Sequence, residues 1–334
     1  MIGTANGTPV SITGLGCHVP ERVVTNDDLA KLVDTSDEWI VTRTGIRERR
    51  FAAPEEALSD IALPAARVAL EKAGVTGRDI DLLIVATVTP DMMFPSTAAI
   101  VADQLGASEA GAYDLAAGCT GFMYAIVQAA GMLGAGLSTR ALVVGADVLS
   151  KIMNLTDRST CVLFGDGAGA AVLERVDRPG FLGFELGADG AGGVDLQLPA
   201  GGSRNPTTAE TVASGGHYVH MNGRQVFKFA TRVLVSSAEK VLEECGLTVE
   251  DVDVYVPHQA NVRIIDHAVA KLGIPEDRVV VNVDRYGNTS SASIPLALAE
   301  ALDDGRIRAG ATVLMTGMGA GLTWGSAVLR WTEA

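Results

Sequence analysis

The chain has 334 residues, of which 48% are hydrophobic and 20% charged, and carries a formal net charge of −14. So acidic a balance disfavours nucleic acid or an anionic membrane surface as the main partner, and a length beyond the roughly 250–300 residues at which single cores stop growing calls for two cores or a duplicated unit. Four cysteines (Cys17, Cys119, Cys161, Cys245) without a CxxC pair suggest neither a disulfide framework nor a metal site, and Met1–Pro9 lacks the basic start and apolar stretch of a signal peptide, so a cytoplasmic protein is the simplest expectation.

Val10–Leu15 reads as a first strand, and Asn26 as the cap of a short helix over Asp27–Val33. The next segment, DTSDEWIVTRTGIRERR, is dense in turn formers and charges and reads as a surface excursion. Its Arg43, Arg47, Arg49 and Arg50 make either a local basic patch or a solvated loop, and charge alone leaves both open. A helical pattern covers Ser59–Gly74, with Gly74 as its stop, and Leu82–Val88 is a continuous apolar strand.

The run YDLAAGCTGFMYAIVQAAGMLGAGLST (113–139) places a cysteine where it can react. Tyr113–Ala117 reads as a short buried strand, Gly118 permits a sharp turn, and Phe122–Leu133 reads as a helix, so Cys119 stands at a strand-to-helix elbow. Unpaired N–H groups and the helix dipole there favour a thiolate. The alternative is a small buried hydrophobe, the common fate of a free cysteine. The glycines at 118, 121, 131, 134 and 136 leave a helix of about a dozen residues, short of the roughly 20 that a membrane span needs.

An internal repeat organises the rest. ALEKAGVTGRDIDLLI (69–84) aligns without gaps on VLEECGLTVEDVDVYV (241–256), with six of sixteen positions identical, at an offset of 172 (241 − 69). The register persists: ALVVG (141–145) falls on VLMTG (313–317), and the helix after Cys119 falls on SASIPLALAEAL after Ser291. A shorter echo, AAVL (170–173) with SAVL (326–329), closes each half with a strand. Two copies of one alternating strand-helix unit are implied. The Gly-, Ser- and Thr-rich stretch Gly187–Gly216 between them is either a linker or a loop covering a binding tunnel.

Where the copies differ, chemistry is expected. Cys119 corresponds to Ser291, and His258 to Ala86 (258 − 172). His258 follows the apolar strand Val252–Val256 and opens a helix over Ala260–Leu272, at the strand edge where open α/β sheets bind ligands. Asn288 precedes the second copy's equivalent of the cysteine helix. TGMGAGLTWG (316–325), read as the loop after a strand over Thr312–Thr316, lacks a P-loop's spacing and lysine, and is better placed to offer a backbone N–H to the cysteine.

These residues, with VDTSDEWIVTRTGIRER (33–49), FPS (94–96), CTGF (119–122), FGDGAGAAVL (164–173), VPHQAN (256–261), GNTS (287–290) and GLTWGSAVLR (321–330), resemble the β-ketoacyl-acyl carrier protein synthase III family over nearly the whole chain. The resemblance implies an α/β thiolase-like fold of two duplicated mixed-sheet halves in a layered αβαβα arrangement. Residues 1–180 would carry the nucleophile, 181–220 would connect, and 221–334 would carry the histidine and asparagine. It implies a decarboxylative Claisen condensation of a short acyl-CoA with malonyl-acyl carrier protein, starting type II fatty acid synthesis, by a ping-pong route through acyl-Cys119, or alternatively a starter-unit priming synthase or acyltransferase of a polyketide pathway. His258 and Asn288 would hold the malonyl thioester carbonyl, and the N–H groups of Cys119 and Ala320 an oxyanion. Thr35, Trp39, Arg43, Arg158, Phe227 and Ala260 match coenzyme A-binding positions, and Lys228 and Arg263 the carrier-protein docking positions. Phe94 matches a residue reaching into a partner subunit's acyl pocket, which implies a homodimer. No cofactor beyond the thioester substrate is implied. Met318 and Leu322 stand where well-known members carry Phe, and Met92 and Met93 precede Phe94; softer side chains there point to a longer or branched starter.

Overall fold

The computed structural model describes residues 9–332, so the reading of Met1–Pro9 falls almost wholly outside the described residues. The first half is built from β1 (Val10–His18), α3 (Leu58–Lys72), β4 (Leu82–Ala86), α4 (Thr97–Leu105), β5 (Gly111–Leu115), α5 (Gly121–Gly134), β6 (Arg140–Asp147) and β7 (Gly167–Arg175). Its sheet has the order β1-β7-β6-β4-β5, parallel across β6-β4-β5 and antiparallel across β1-β7-β6. The second half uses β8 (Phe181–Ala188), α8 (Gly223–Cys245), β11 (Val254–Pro257), α9 (Val262–Leu272), α11 (Ser293–Asp303), β12 (Thr312–Gly319) and β13 (Thr323–Arg330). Its order, β8-β13-β12-β11, repeats the senses of the first, and the missing fifth strand is reduced to a parallel bridge between Tyr255 and Val279.

The offset of 172 holds at atomic detail. Moved by that number, the ends of β6 fall on the ends of β12, and the single-turn elbow Gly118–Thr120 falls on Ser290–Ala292. The turns before β4 and β11 are closed by matching boxes, Thr76 with Asp79 and Thr248 with Asp251.

Five layers follow from the period-two alternation of the strands. Leu82, Ile84 and Ala86 of β4 face α5 and α11, which also pack on Val254 and Val256 of β11 and Val313 and Met315 of β12. Leu83 and Val85 face α3 and α4 on the outside. Tyr255, Leu314 and Val328 of the second sheet face α8 and α9. α5, apolar on all sides, is the helix between two sheets.

Each half carries an insertion between its first strand and first long helix. In the first half it holds β2 (Val23–Thr25), α1 (Asn26–Ala30), α2 (Asp37–Thr44) and β3 (Glu48–Arg50); in the second, β9 (Leu196–Gln197), α7 (Ala209–Ala213) and β10 (His220–Met221). Two further short helices, α6 (Arg158–Cys161) and α10 (Val283–Tyr286), complete the described chain.

Several expectations are corrected. The segment read as a surface excursion folds as α2 and β3 and buries Ile40, Ile46 and Arg49. Arg49 donates to the carbonyls of Val24 and Val162 and to Asn26 Oδ1, so it belongs to no basic surface patch. Phe181–Ala188, placed with the connecting residues, pairs with β13 and belongs to the second sheet. Thr25, not Asn26, caps α1. β5 is a half-exposed edge strand, because no strand among the described residues pairs with its far side. β12 and β13 leave a connection of only 320–322, far shorter than the Gly-rich loop expected, since small residues extend the ladder to Gly319.

Candidate active site

Cys119 lies on the elbow between β5 and α5, held by groups from the second half. Ser291 Oγ donates to the Gly118 carbonyl (3.1 Å) and Thr323 Oγ1 to the Ala117 carbonyl (2.9 Å). The end of β12 passes so close that a side chain on Gly319 would put its Cβ 2.5 Å from the Cys119 nitrogen. Among the described residues, neither the Cys119 nor the Ala320 N–H donates to another residue. Two amides from opposite halves are thus left free beside the sulfur.

Behind the elbow sits Asp147, fully buried at the end of β6. Its carboxylate accepts from Thr87 Oγ1 (3.0 Å), Val88 N–H (2.8 Å), Thr89 Oγ1 (3.1 Å) and Ser291 N–H (3.1 Å), so it ties the two halves together. Sequence reading passed over it, although it is the single charge in the apolar run between Arg140 and Lys151.

His258 and Asn288 meet Cys119 in one cavity of about 180 Å³, whose lining also includes Phe227, Ala260 and Met318. β11 ends at Pro257, and His258 is pinned by its N–H on the Thr316 carbonyl (2.8 Å) and by its Nδ1 against Ser293 Oγ (2.5 Å) at the start of α11. Its Nε2 is buried without a partner among the described residues. Asn288 is set by backbone bonds to Leu163 and Gly165, and its Oδ1 accepts the Ser290 N–H (2.9 Å). The carboxamide oxygen being engaged, Nδ2 is the end left for a ligand.

Burial dominates the protonation states. It pushes the Cys119 thiol up to about 12, with the neighbouring Ser290 hydroxyl lowering it and Asp147 raising it. Burial pulls His258 down to about 3, so its imidazole is neutral. The expected thiolate is therefore corrected: desolvation in this pocket outweighs the helix start, and the resting site is an uncharged thiol beside an uncharged imidazole. Asp147 is likewise raised by burial, against its hydrogen bonds.

A second, mostly apolar chamber of about 180 Å³ also borders Cys119, lined by residues including Val88, Leu149, Ile152, Leu198, Val219 and Ser290. Leu196 borders both cavities and Gln197 and Leu198 the second, so part of the stretch 187–216, an insertion of the second half rather than a link between halves, lines the site. Met318 lines the cavity of His258 rather than the apolar chamber, and Leu322 is buried against the α8 side. Phe94 lines neither; it is 86% exposed beside exposed Met92 and Met93.

The remaining sequence candidates form an outer approach. The Arg43 and Arg158 guanidinium groups lie 4.4 Å and 4.8 Å from the Trp39 ring, and Thr35 is nearby in sequence with a buried hydroxyl. Asn261, on the cavity lining, donates to the Arg43 carbonyl (3.1 Å), so this cluster abuts the cavity wall. Arg263 lies over Phe227 at 5.6 Å, and Arg263 and Lys228 are both exposed.

The family model described as 3-oxoacyl-[acyl-carrier-protein] synthase III matches residues 113–190, and its C-terminal counterpart matches residues 242–331. A β-ketoacyl-[acyl-carrier-protein] synthase III of Symbiobacterium thermophilum is 61% identical over 97% of this chain and 98% of its own length. The chain belongs to the β-ketoacyl-acyl carrier protein synthase III family. A crystal structure of the family from Thermus thermophilus is 51% identical, with a TM-score of 0.90 over 97% of this chain and all of that one. The priming β-ketosynthase of the R1128 polyketide pathway is 40% identical, with a TM-score of 0.91 over 98% of this chain and 97% of that one. Membership assigns the thiolase fold and the reaction class, the condensation that initiates fatty acid synthesis. Among the described residues, no helix is long and apolar enough to cross a membrane, and no group of three or more His, Cys, Asp or Glu is placed to hold a metal.

Proposed function

We propose that the chain joins a short acyl group from acyl-CoA to malonyl-acyl carrier protein by a ping-pong route through Cys119. The sulfur adds to the acyl-CoA carbonyl, and the resulting oxyanion rests on the N–H groups of Cys119 and Ala320, each worth about 3–4 kcal/mol in such a site. The carbon–sulfur bond to coenzyme A then breaks, and the Cys119 proton ends on the departing thiol. In the second half-reaction His258 Nε2–H and Asn288 Nδ2–H hold the malonyl thioester carbonyl while its carboxylate leaves as carbon dioxide. Ser293 Oγ–H, donating to His258 Nδ1, selects the tautomer this needs. The enolate carbon attacks the acyl-Cys119 carbonyl, the new carbon–carbon bond forms, and the released thiolate takes a proton from solvent.

The observation that carries this reading is the convergence of one thiol, one unpartnered imidazole nitrogen and one free carboxamide NH₂ on a single cavity. Its test is intact mass after exposure to a panel of acyl-CoAs. A covalent adduct is expected on the parent protein, none on Cys119→Ala, and adducts without decarboxylation of malonyl carrier protein on His258→Ala and Asn288→Ala. Normal turnover in either of the last two removes their assigned roles.

The same reading places the coenzyme A nucleotide at Thr35, Trp39, Arg43 and Arg158, its pantetheine past Phe227 and Ala260, and the acidic carrier protein on Lys228 and Arg263. It includes a homodimer with Phe94 at the interface, which sedimentation tests, and a cytoplasmic location, which fractionation tests. No cofactor enters it. An apolar cavity of about 150 Å³ holds a benzene-sized guest, so the second chamber has room for several carbons beyond acetyl, and the adduct panel is expected to favour a longer or branched starter. The likeness to a polyketide priming enzyme supports a second reading of the same chemistry, in which the acceptor is a polyketide carrier protein; turnover with each carrier separates the two.

A further inference from the structure

Ser290 is the one described non-glycine residue with a positive φ, at 52°. Its counterpart at the offset of 172 is Gly118 (290 − 172), with a φ of 57°. The same left-handed turn is therefore built twice. The first copy uses the residue that adopts it freely, and the second keeps a side chain that resists it. Unless that side chain is used, glycine would serve better.

Its position says what the use is. Ser290 is 1% exposed, and its Oγ makes no well-formed hydrogen bond among the described residues. The N–H of the next residue, Ser291, donates to the Asp147 carboxylate (3.1 Å), which brings Ser290 next to that group. Ser290 shares the lining of the apolar chamber with Cys119, and its own N–H holds Asn288 Oδ1. Other elements packed on the Cys119 elbow add little charge: α5 and β12 contain no charged residue and β13 only Arg330 at its far end, so Asp147 and His258 are the titratable groups facing the sulfur.

We propose that the Ser290 hydroxyl is a further catalytic group, donating a hydrogen bond to the Cys119 sulfur whenever that sulfur carries negative charge, both as it attacks the acyl-CoA and as it leaves the condensed product. In the resting site the hydroxyl makes no well-formed hydrogen bond; as charge builds on sulfur it turns from the Asp147 side to Cys119. The left-handed backbone is what aims it between the two. This rests on Cys119 as the acylated nucleophile, which the mass adduct tests separately.

The experiment alkylates Cys119 with iodoacetamide from pH 6 to pH 11 in the full-length parent and in Ser290→Gly, Ser290→Ala and Ser290→Thr, with melting temperatures measured alongside. Loss of a hydrogen bond to a charged sulfur is expected to slow alkylation at pH 8 about tenfold and move the profile up by about one pH unit in both the Gly and Ala variants. Ser290→Gly is expected to melt no lower than the parent, because its backbone strain is relieved. Ser290→Thr keeps the hydroxyl, so it is expected to react like the parent while melting lower, β-branching being costly at positive φ. Reactivity and stability then run in opposite orders. A parent-like profile in Ser290→Gly, or reactivity that simply follows melting temperature, overturns the proposal. If the Thr variant does not fold, the Gly and Ala variants decide together, since glycine suits the backbone and alanine removes only the hydroxyl.

Discussion

Gly118–Thr120 and Ser290–Ala292 are one elbow made twice, and the two press against each other across the centre of the molecule, with Ser291 Oγ on the Gly118 carbonyl. Their backbones match and their side chains do not. Cys119 faces Ser291 in the repeat, His258 faces Ala86, and Asp147 faces Gly319. The scaffold is duplicated for stability, since each sheet needs a partner to bury its inner face. The proposed reactive groups are the places where the duplication has been broken.

Erasing those differences one at a time is the strongest way to break the comparison. Cys119→Ser gives the first elbow the residue of the second; without the sulfur, condensation is expected to fall more than about a thousandfold, measured as product formed from acyl-CoA and malonyl carrier protein. His258→Ala installs the residue of position 86. Decarboxylation is expected to drop by about 10²–10⁴, with the acyl adduct on Cys119 retained. Gly319→Ala tests the close approach of the halves: its Cβ would stand 2.5 Å from the Cys119 nitrogen, so the two amides must separate. Both half-reactions are expected to slow by about a hundredfold, since each passes through an oxyanion.

Much of this was legible in the sequence because repetition is a tertiary fact written locally. The match of 69–84 to 241–256 carries the register that brings β6 onto β12 and one elbow onto the other, and the two substitutions in it pointed to Cys119 and His258. What failed to show were effects of burial. Arg49 reads as a surface charge, yet its guanidinium is satisfied by the Val162 carbonyl, 113 residues away, and by the Val24 carbonyl and Asn26 side chain of the neighbouring strand and helix. A helix start next to Cys119 suggests a thiolate, but the field of one short turn is local and the loss of water is not. Ser290 was hidden for another reason: φ is not written in a side chain, and only the glycine at its twin position could have flagged it.

The buried pair also sets a pH dependence that sharpens the contrast between halves. His258 has a folded pKa of about 3, below the ordinary 6.5, so the unfolded chain binds an extra proton between those values. Stability is expected to fall as pH drops from about 6.5 toward 3, and His258→Gln is expected to lose that share of the slope in urea titrations. Cys119 acts at the opposite end: with its folded pKa raised from 9 to about 12, stability is lost as pH rises through that window, and Cys119→Ala removes the contribution.

The smallest expected effect lies furthest from the elbows. The two insertions occupy the same place in their halves, but only the first offers an indole, Trp39, flanked by its own Arg43 and by Arg158 of α6. Arg158 is exposed and also donates to the Asp34 carbonyl (2.7 Å), so its stacking on Trp39 is already formed without ligand. In the proposed coenzyme A site, a flat nucleobase would displace one cation–π contact and make another, so the net gain is a difference of two terms of about 0.5–1 kcal/mol each at an exposed site. Arg158→Ala is therefore expected to raise KM for acyl-CoA only about twofold with kcat unchanged. Acyl-pantetheine, which lacks the nucleotide, should react equally well with parent and variant. A change in kcat, or an equal defect with acyl-pantetheine, would mean that this insertion reaches the chemistry at Cys119 rather than merely holding the far end of the substrate.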